Sequence, residues 1–148
     1  MQAQSFTVLG RRLTVVADGD TVVAAHFDGD GTEAGRLPAT IGAAVDAYLA
    51  GDCAALDRVP VQQPGTAFMQ RAWEQMRAIA PGDTETYGEL AQRSGSPRGS
   101  RAAGQACARN AIVLFVPCHR VVAANGMGNY LYGTEFKAAL LEHEARSR

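Results

Sequence analysis

Cysteine is scarce in this chain, and the little there is follows no pattern. Cys53, Cys107 and Cys118 are odd in number and share no C-x-x-C spacing, which argues against a disulfide framework or a zinc cage and leaves at least one thiol free. Long apolar runs are missing too, since none approaches the roughly 18 residues that span a bilayer. Met1-Gln2-Ala3-Gln4-Ser5 lacks the basic-then-apolar order of a signal peptide, so a cytoplasmic protein without membrane association is expected. Disordered and fibrous compositions are excluded as well. A hydrophobic content of 47% over 148 residues supports one ordinary core, or one domain with a small appendage.

Net charge is nearly absent at −1, but that average hides a division along the chain. Residues 1–60 hold four arginines and eight acids, whereas 61–148 hold ten lysines or arginines and seven acids. Leu90 to Thr134 has no acidic residue at all, yet it contains Arg93, Arg98, Arg101, Arg109 and Arg120. Such a stretch is either a solvated basic face or a surface for a polyanion.

The densest chemistry lies in Val116-Pro117-Cys118-His119-Arg120-Val121. The apolar run Ala111 to Val116 before it has the length of a buried strand, and Pro117 forbids a helix from continuing through it. Cys118 is therefore expected where a core strand ends. A thiol there is either core packing or a nucleophile. An adjacent imidazole and guanidinium favour the nucleophile, because such neighbours lower a thiol pKa and expose the thiolate.

Around that stretch the chain reads as an α+β protein. Ser5–Leu9, Leu13–Ala17 and Thr21–Phe27 are three short apolar runs, two of them joined across Asp18-Gly19-Asp20, and predict an antiparallel meander. Ile41, Ala44, Val45, Tyr48 and Leu49 then recur at helical spacing. His26 has no second ligand nearby and reads as structural. Leu56 to Gly65 is proline-bearing, weakly patterned and read as a linker, so residues 1–60 form a small strand-rich domain with a structural role and 61–148 a second domain.

The second domain is mostly helical. Thr66 caps a helix whose stripe of Phe68, Ala72, Trp73, Met76, Ile79 and Ala80 ends at Pro81-Gly82. Thr86-Tyr87-Gly88-Glu89 matches a capping box and starts a short helix that stops at Ser94-Gly95. Ser96 as cap and Pro97 in the first turn then launch Gly99 to Arg109, ending at Asn110. Two helices joined by three residues, the second rich in alanine and arginine, read as a helix-turn-helix. Small residues there suit close approach to a nucleic acid, with Arg101 and Arg109 projecting, or equally close packing on a neighbouring helix. Finally, Phe136, Leu140 and Glu144 share a helix face, which either turns a carboxylate inward toward His119 or Arg120 or frays at the C-terminus.

Taken together, Pro117-Cys118-His119-Arg120, Gly126, Tyr130, Gly133, Lys137 and Leu140-Leu141-x-x-Glu144 resemble the O6-alkylguanine-DNA alkyltransferases, or methylated-DNA-protein-cysteine methyltransferases. Thr84-x-Thr86-Tyr87, Pro97-x-x-x-Arg101-Ala102 and Asn110, eight residues before the cysteine, extend the likeness. It covers 66–148 closely and 1–60 loosely. The resemblance implies a C-terminal DNA-binding and alkyl-acceptor domain with a buried active-site strand. Cys118 would accept the alkyl group of O6-alkylguanine in double-stranded DNA, once per molecule, because the thioether formed is a poor leaving group. His119 would take the thiol proton through a water, since neighbours on an extended segment point apart, and Glu144 would orient His119. Tyr87 would hydrogen-bond the extruded guanine.

The same resemblance implies docking in the minor groove through Ser100, Arg101, Ala102, Ala103 and Arg109, with Arg101 filling the gap left by the flipped base. Asn110 would hold the turn before the active-site strand, and Arg120, Tyr130, Leu131 and Tyr132 would support or line the pocket. A monomer is expected, with no cofactor and no metal, since the amino-terminal part offers only Cys53 and His26 as N or S ligands. Leu131 and Tyr132 depart from the small residues usual in the family, and the preceding loop is one residue shorter; together they predict a pocket narrowed toward methyl. An alternative is a lesion-binding protein that transfers nothing and recruits other repair factors, but such proteins replace the cysteine. An unrelated cysteine hydrolase would bring its histidine from elsewhere in the sequence.

Overall fold

Alternating apolar residues near the N-terminus form a three-stranded antiparallel meander in the computed structural model, which describes residues 1–96 and 99–147. Strands β1 (Gln2–Val8), β2 (Arg11–Asp18) and β3 (Thr21–Phe27) run in sequence order. Leu9 and Gly10, both at positive φ, make the two-residue turn that matches strand twist in a tight hairpin. Both sheet edges are closed. Ala3 and Ala34 exchange backbone hydrogen bonds of 2.8 and 3.0 Å on the β1 side, and Val22 and Ala25 pair with 60–62 and 111–113 on the β3 side. Helix α1 (Ala39–Ala50) buries Ile41, Ala44, Val45 and Tyr48 and ends on Gly51 in the left-handed conformation that a residue without Cβ adopts freely.

The chain divides into two compact units, Met1–Gln63 with Ala111–Phe115, and Pro64–Asn110 with Val116–Arg146. The first unit thus takes back residues 111–115, which the sequence reading gave to the second domain. Two expectations change with it. The stretch read as a linker carries a 3-10 turn at Ala55–Arg58 with Leu56 buried, and Val61 bridges to Val22. The run 111–116 is buried except at Ala111, but it is held by isolated bridges around a turn and forms no continuous strand, because Leu114 takes a φ of 73° that strand pairing cannot accommodate.

The second unit opens with α2 (Ala67–Arg77), whose Thr66 side chain accepts from the Met69 N–H at 3.2 Å. Trp73 anchors its buried face, and its indole N–H donates to the Ala106 carbonyl at 2.9 Å. Strand β4 (Glu85–Thr86) pairs in parallel with β5 (Val121–Val122). The predicted capping box is present, with Thr86 and Glu89 bonded reciprocally, and it starts α3 (Tyr87–Arg93) directly from β4. Tyr87 is thereby set beside the chain that leaves Arg120.

Helix α4 spans Ser100–Ala108 and α5 spans Thr134–Arg146. The connection from α3 to α4 is Ser94–Gly99, longer than the three residues expected. Gly99 is the N-cap of α4, and Ser96 instead accepts the Gly99 N–H through its carbonyl at 2.8 Å. Pro97 and Arg98, read as a first-turn residue and part of the basic stretch, lie outside the described residues. The architecture is mixed α/β, and no described helix is long and apolar enough to cross a membrane.

Candidate active site

Cys118, His119 and Arg120 form a single 3-10 turn between Pro117 and β5, where an extended segment was expected. All three are buried, with 6% of Cys118 open to solvent and none of His119. Helix α5 explains why this turn is stable. Its inward face carries Phe136, Lys137, Leu140 and Glu144, and the Glu144 carboxylate meets the turn with both oxygens. His119 Nε2 lies 2.6 Å from Oε2, and Arg120 Nε donates to Oε1 at 2.8 Å. Arg120 Nη1 also donates to the Ile79 carbonyl at 2.8 Å. Burial alone would push the Glu144 carboxyl up, but the imidazole and guanidinium outweigh it and bring it down to about 2. The inward carboxylate read from helical spacing is therefore observed with both of its candidate partners.

An ionised Glu144 fixes the histidine tautomer. Nε2 donates its proton toward the carboxylate, so that in the neutral ring Nδ1 is an acceptor; it is buried and without a partner among the described residues.

The thiol has a different setting from the one expected. Burial pushes the Cys118 thiol up, and the groups that oppose this are the Asn110 side chain, hydrogen-bonded to it, the Lys137 ammonium and the residue's own backbone N–H. Arg120 plays no part, being engaged by Glu144 and Ile79. Asn110 Nδ2 also donates to the Val116 carbonyl at 2.8 Å, so one side chain ties the end of α4 to the approach to the cysteine.

Lys137 is the residue that pattern reading passed over as a bare motif position. Its ammonium is fully buried and donates to the carbonyls of Val121 at 2.6 Å and Asn129 at 3.1 Å, with the Tyr87 ring 5.9 Å away. Burial lowers its pKa, and the two thiols Cys107 and Cys118 work against that. The available signal was its place beside Phe136 on the inward face of α5. Tyr87 is held from the same loop. Its hydroxyl accepts the Asn129 backbone N–H, and burial, aided by Cys107, raises its pKa. Gly128, at φ 76°, packs so closely that a Cβ would stand 2.8 Å from that hydroxyl.

The remaining site residues divide into two groups. Ser100, Arg101 and Arg109 are exposed on and next to α4 and Ala102 is half-buried, but Ala103 is fully buried and cannot belong to an external surface. The basic stretch shrinks likewise, since Arg120 is internal and Arg93 bonds Glu85 and Gln75. Tyr130 and Tyr132 are half-buried and meet edge to face at 5.6 Å. Leu131 is 79% exposed at the tip of the turn closed by Gly133 N–H to Tyr130 O, and so does not line a cavity as expected. Among the described residues, no three His, Cys, Asp or Glu side chains converge in a way that could hold a metal ion.

The turn thus sets a buried thiol next in sequence to an imidazole that a carboxylate holds in place. A family model described as 6-O-methylguanine DNA methyltransferase, DNA binding domain, matches residues 67–146, and the chain belongs to that family. A methylated-DNA-protein-cysteine methyltransferase of Methanosarcina acetivorans is 43% identical over 101 residues, covering 68% of this chain and 64% of the relative, so the match spans just under two thirds of that protein. One from Mycobacterium tuberculosis is 42% identical over 111 residues, covering 72% of this chain and 67% of the relative. The crystal structure of the M. tuberculosis O6-methylguanine methyltransferase superposes with a TM-score of 0.85 at 29% identity, covering 99% of this chain and 93% of that one. A structure of M. tuberculosis OGT in complex with DNA gives 0.83 at 30% identity, covering 98% and 93%.

Proposed function

We propose that this chain repairs O6-methylguanine in double-stranded DNA by moving the methyl group irreversibly onto Cys118, once per molecule. The observation that carries the reading is the His119–Glu144 contact of 2.6 Å, which makes Nδ1 a buried base next to the thiol in sequence. A water relays the thiol proton to Nδ1. The sulfur then attacks the methyl carbon, the carbon–O6 bond breaks, and its electron pair passes into the guanine ring, which regains the proton that the thiol gave up. Tyr87 suits the leaving-group side, because the Asn129 N–H already supplies a donor to its oxygen and leaves its own O–H free to point at the base.

The exposed Arg101 and Arg109 supply phosphate and duplex contacts, and Arg101, in the first turn of α4, enters the stack that the flipped nucleotide leaves. Unit 1 serves as structural support, and the protein acts as a cytoplasmic monomer without a cofactor. The test is intact-protein mass spectrometry after mixing with O6-methylguanine DNA. One methyl group per chain on Cys118, absent in Cys118→Ser, is expected; repeated turnover overturns the proposal, and binding without a mass change makes the chain a lesion binder. Arg101→Ala should slow transfer from duplex DNA far more than from the free modified base.

A further inference from the structure

Gln63 is a polar side chain placed where packing alone would favour an apolar one. It belongs to the stretch read from the sequence as a linker, yet only 6% of it is open to solvent, and burying a glutamine costs much of its rotamer freedom. Its backbone is held from both sides. The Gln62 N–H donates to the Val22 carbonyl at 3.0 Å and the Val22 N–H to the Pro60 carbonyl at 2.9 Å, while Pro64 restricts Gln63 toward extended backbone. From that footing Gln63 Oε1 accepts the Ala111 N–H at 2.8 Å, from 48 residues away in the chain. A backbone N–H only donates, so the amide must turn its oxygen to Ala111. The Ala111 carbonyl in turn accepts the Ala25 N–H at 2.9 Å, and both polar backbone groups of Ala111 are thereby tied.

Ala111 directly follows Asn110, and through Asn110 the bond reaches the cysteine. Asn110 Nδ2 donates to the Val116 carbonyl at 2.8 Å, and the same carbonyl accepts the Cys118 N–H at 2.8 Å. One oxygen therefore joins the end of α4 to the first residue of the cysteine turn. The Asn110 N–H is itself held by the Cys107 carbonyl at 3.3 Å, and the peptide between 110 and 111 is planar. Pinning the Ala111 N–H thus fixes ψ of Asn110, and a free ψ would let the Asn110 side chain swing off the Val116 carbonyl. We propose that Gln63 is a positioning residue for methyl transfer, which by holding the Ala111 N–H keeps Asn110 on the Val116 carbonyl and so sets where the Cys118 sulfur stands. The inference rests on the transfer proposed above. A displaced sulfur leaves the line of attack on the methyl carbon, and an error of about 1 Å there can slow a reaction about a hundredfold. Duplex binding through the exposed residues of α4 is untouched, so the effect falls on rate and not on affinity.

The experiment compares full-length wild type with Gln63→Leu, which removes the acceptor, Gln63→Glu, which keeps an oxygen at the same reach, and Val45→Ala, which removes buried packing from α1. Each is measured for single-turnover transfer from an O6-methylguanine duplex at saturating protein, for duplex affinity by anisotropy, and for NMR hydrogen exchange of the Ala111 N–H and the Asn110 side-chain amide. Gln63→Leu should transfer about tenfold or more slowly while binding the duplex within about twofold of wild type. Both amides should exchange faster in it. Gln63→Glu should recover most of the rate, and Val45→Ala should keep it. A wild-type rate in Gln63→Leu, or equal losses in Gln63→Leu and Val45→Ala, overturns the proposal. Where Gln63→Leu does not fold, Gln63→Asn, with its amide one methylene short, is held to the same outcomes. The Asn110 exchange needs no DNA and separates this inference from the reading of function. Unchanged exchange in Gln63→Leu overturns the positioning even where wild type transfers methyl, whereas faster exchange beside a wild type that transfers nothing upholds the link to Asn110 and removes the transfer.

Discussion

At the carboxylate end of the site, Glu144 has both oxygens engaged, by His119 at 2.6 Å and Arg120 at 2.8 Å, in a fully buried cluster whose charges are held in place before any substrate arrives. At the thiol end, Cys118 has an amide hydrogen bond, one ammonium and its own backbone N–H to set against its burial, and burial outweighs them. In the proposed transfer the base would thus be assembled in advance, while burial keeps the thiol in its protonated form. A thiol kept in that way is spared from stray electrophiles until a base, a water and an alkyl carbon are aligned.

Breaking the carboxylate end should give the largest effect. Glu144→Gln leaves the Arg120 guanidinium buried without its counter-charge, a loss that typically costs about 3–5 kcal/mol, and it releases the orientation of His119. Urea denaturation should report that loss, and single-turnover transfer should slow while DNA affinity holds. The pH dependence sharpens the point. Folding lowers the Glu144 carboxyl from 4.5 to about 2, so its contribution is complete above 4.5 and disappears as pH falls through about 2. Wild type should lose on the order of 3 kcal/mol across that window from this group, and Glu144→Gln should not. Equal acid sensitivity in the two would remove Glu144 from that role.

Lys137→Met breaks the thiol end instead. Loss of the ammonium removes one of the three influences that hold the thiol down and orphans two carbonyls, at about 1–3 kcal/mol for each buried group left unsatisfied. Transfer should fall by about one order of magnitude or more. Its pH–rate profile should also move to higher pH, a shift that Glu144→Gln, acting on the base, need not share. An unmoved profile would mean that Lys137 only braces the loop.

Gly128→Ala tests the packing beside Tyr87. The new methyl would stand 2.8 Å from the Tyr87 hydroxyl and 3.1 Å from the Ala123 backbone nitrogen, at a positive φ, and such overpacking costs about 1–3 kcal/mol. Transfer should slow through a displaced Tyr87, with little change in DNA affinity measured by anisotropy. The smallest effects belong to the turn beyond. Leu131→Gly, at an exposed tip, should change stability by less than about 0.5 kcal/mol and leave the methyl rate alone. The expected preference for methyl over bulky adducts now rests on Tyr132. Tyr132→Gly should raise the benzylguanine rate by about tenfold or more while sparing methyl, and a wild-type benzyl rate equal to the methyl rate would end that idea.

What could be read from the chain was whatever periodicity or local chemistry encodes. Thr66 and the Thr86–Glu89 box lie next to the amides they cap, and Glu144 follows Phe136 and Leu140 at helical intervals, so local rules placed them. The rest depended on contacts distant in sequence. Nothing in Ala111 to Val116 announces that Leu114 turns to positive φ, or that Ala111 and Val113 pair with Ala25 far upstream. The thiol environment was misjudged for the same reason. Adjacent residues suggested Arg120 as the helper, whereas Glu144, 24 residues away, captures Arg120, and Lys137 approaches from another element. Leu131 sits in a loop, where no period says which way a side chain faces.

The bond from the Trp73 indole to the Ala106 carbonyl makes the protein its own optical probe. Trp73 is the chain's single tryptophan, and its acceptor lies one residue before Cys107 on the helix that carries Arg101. Gly65 packs against the far edge of the indole, where a Cβ would come within 2.5 Å, so the ring has little freedom of its own. A change in its emission is then sensitive to that hydrogen bond to α4. A stopped-flow trace of that emission times helix engagement, nucleotide capture and methyl transfer without a label attached to either macromolecule.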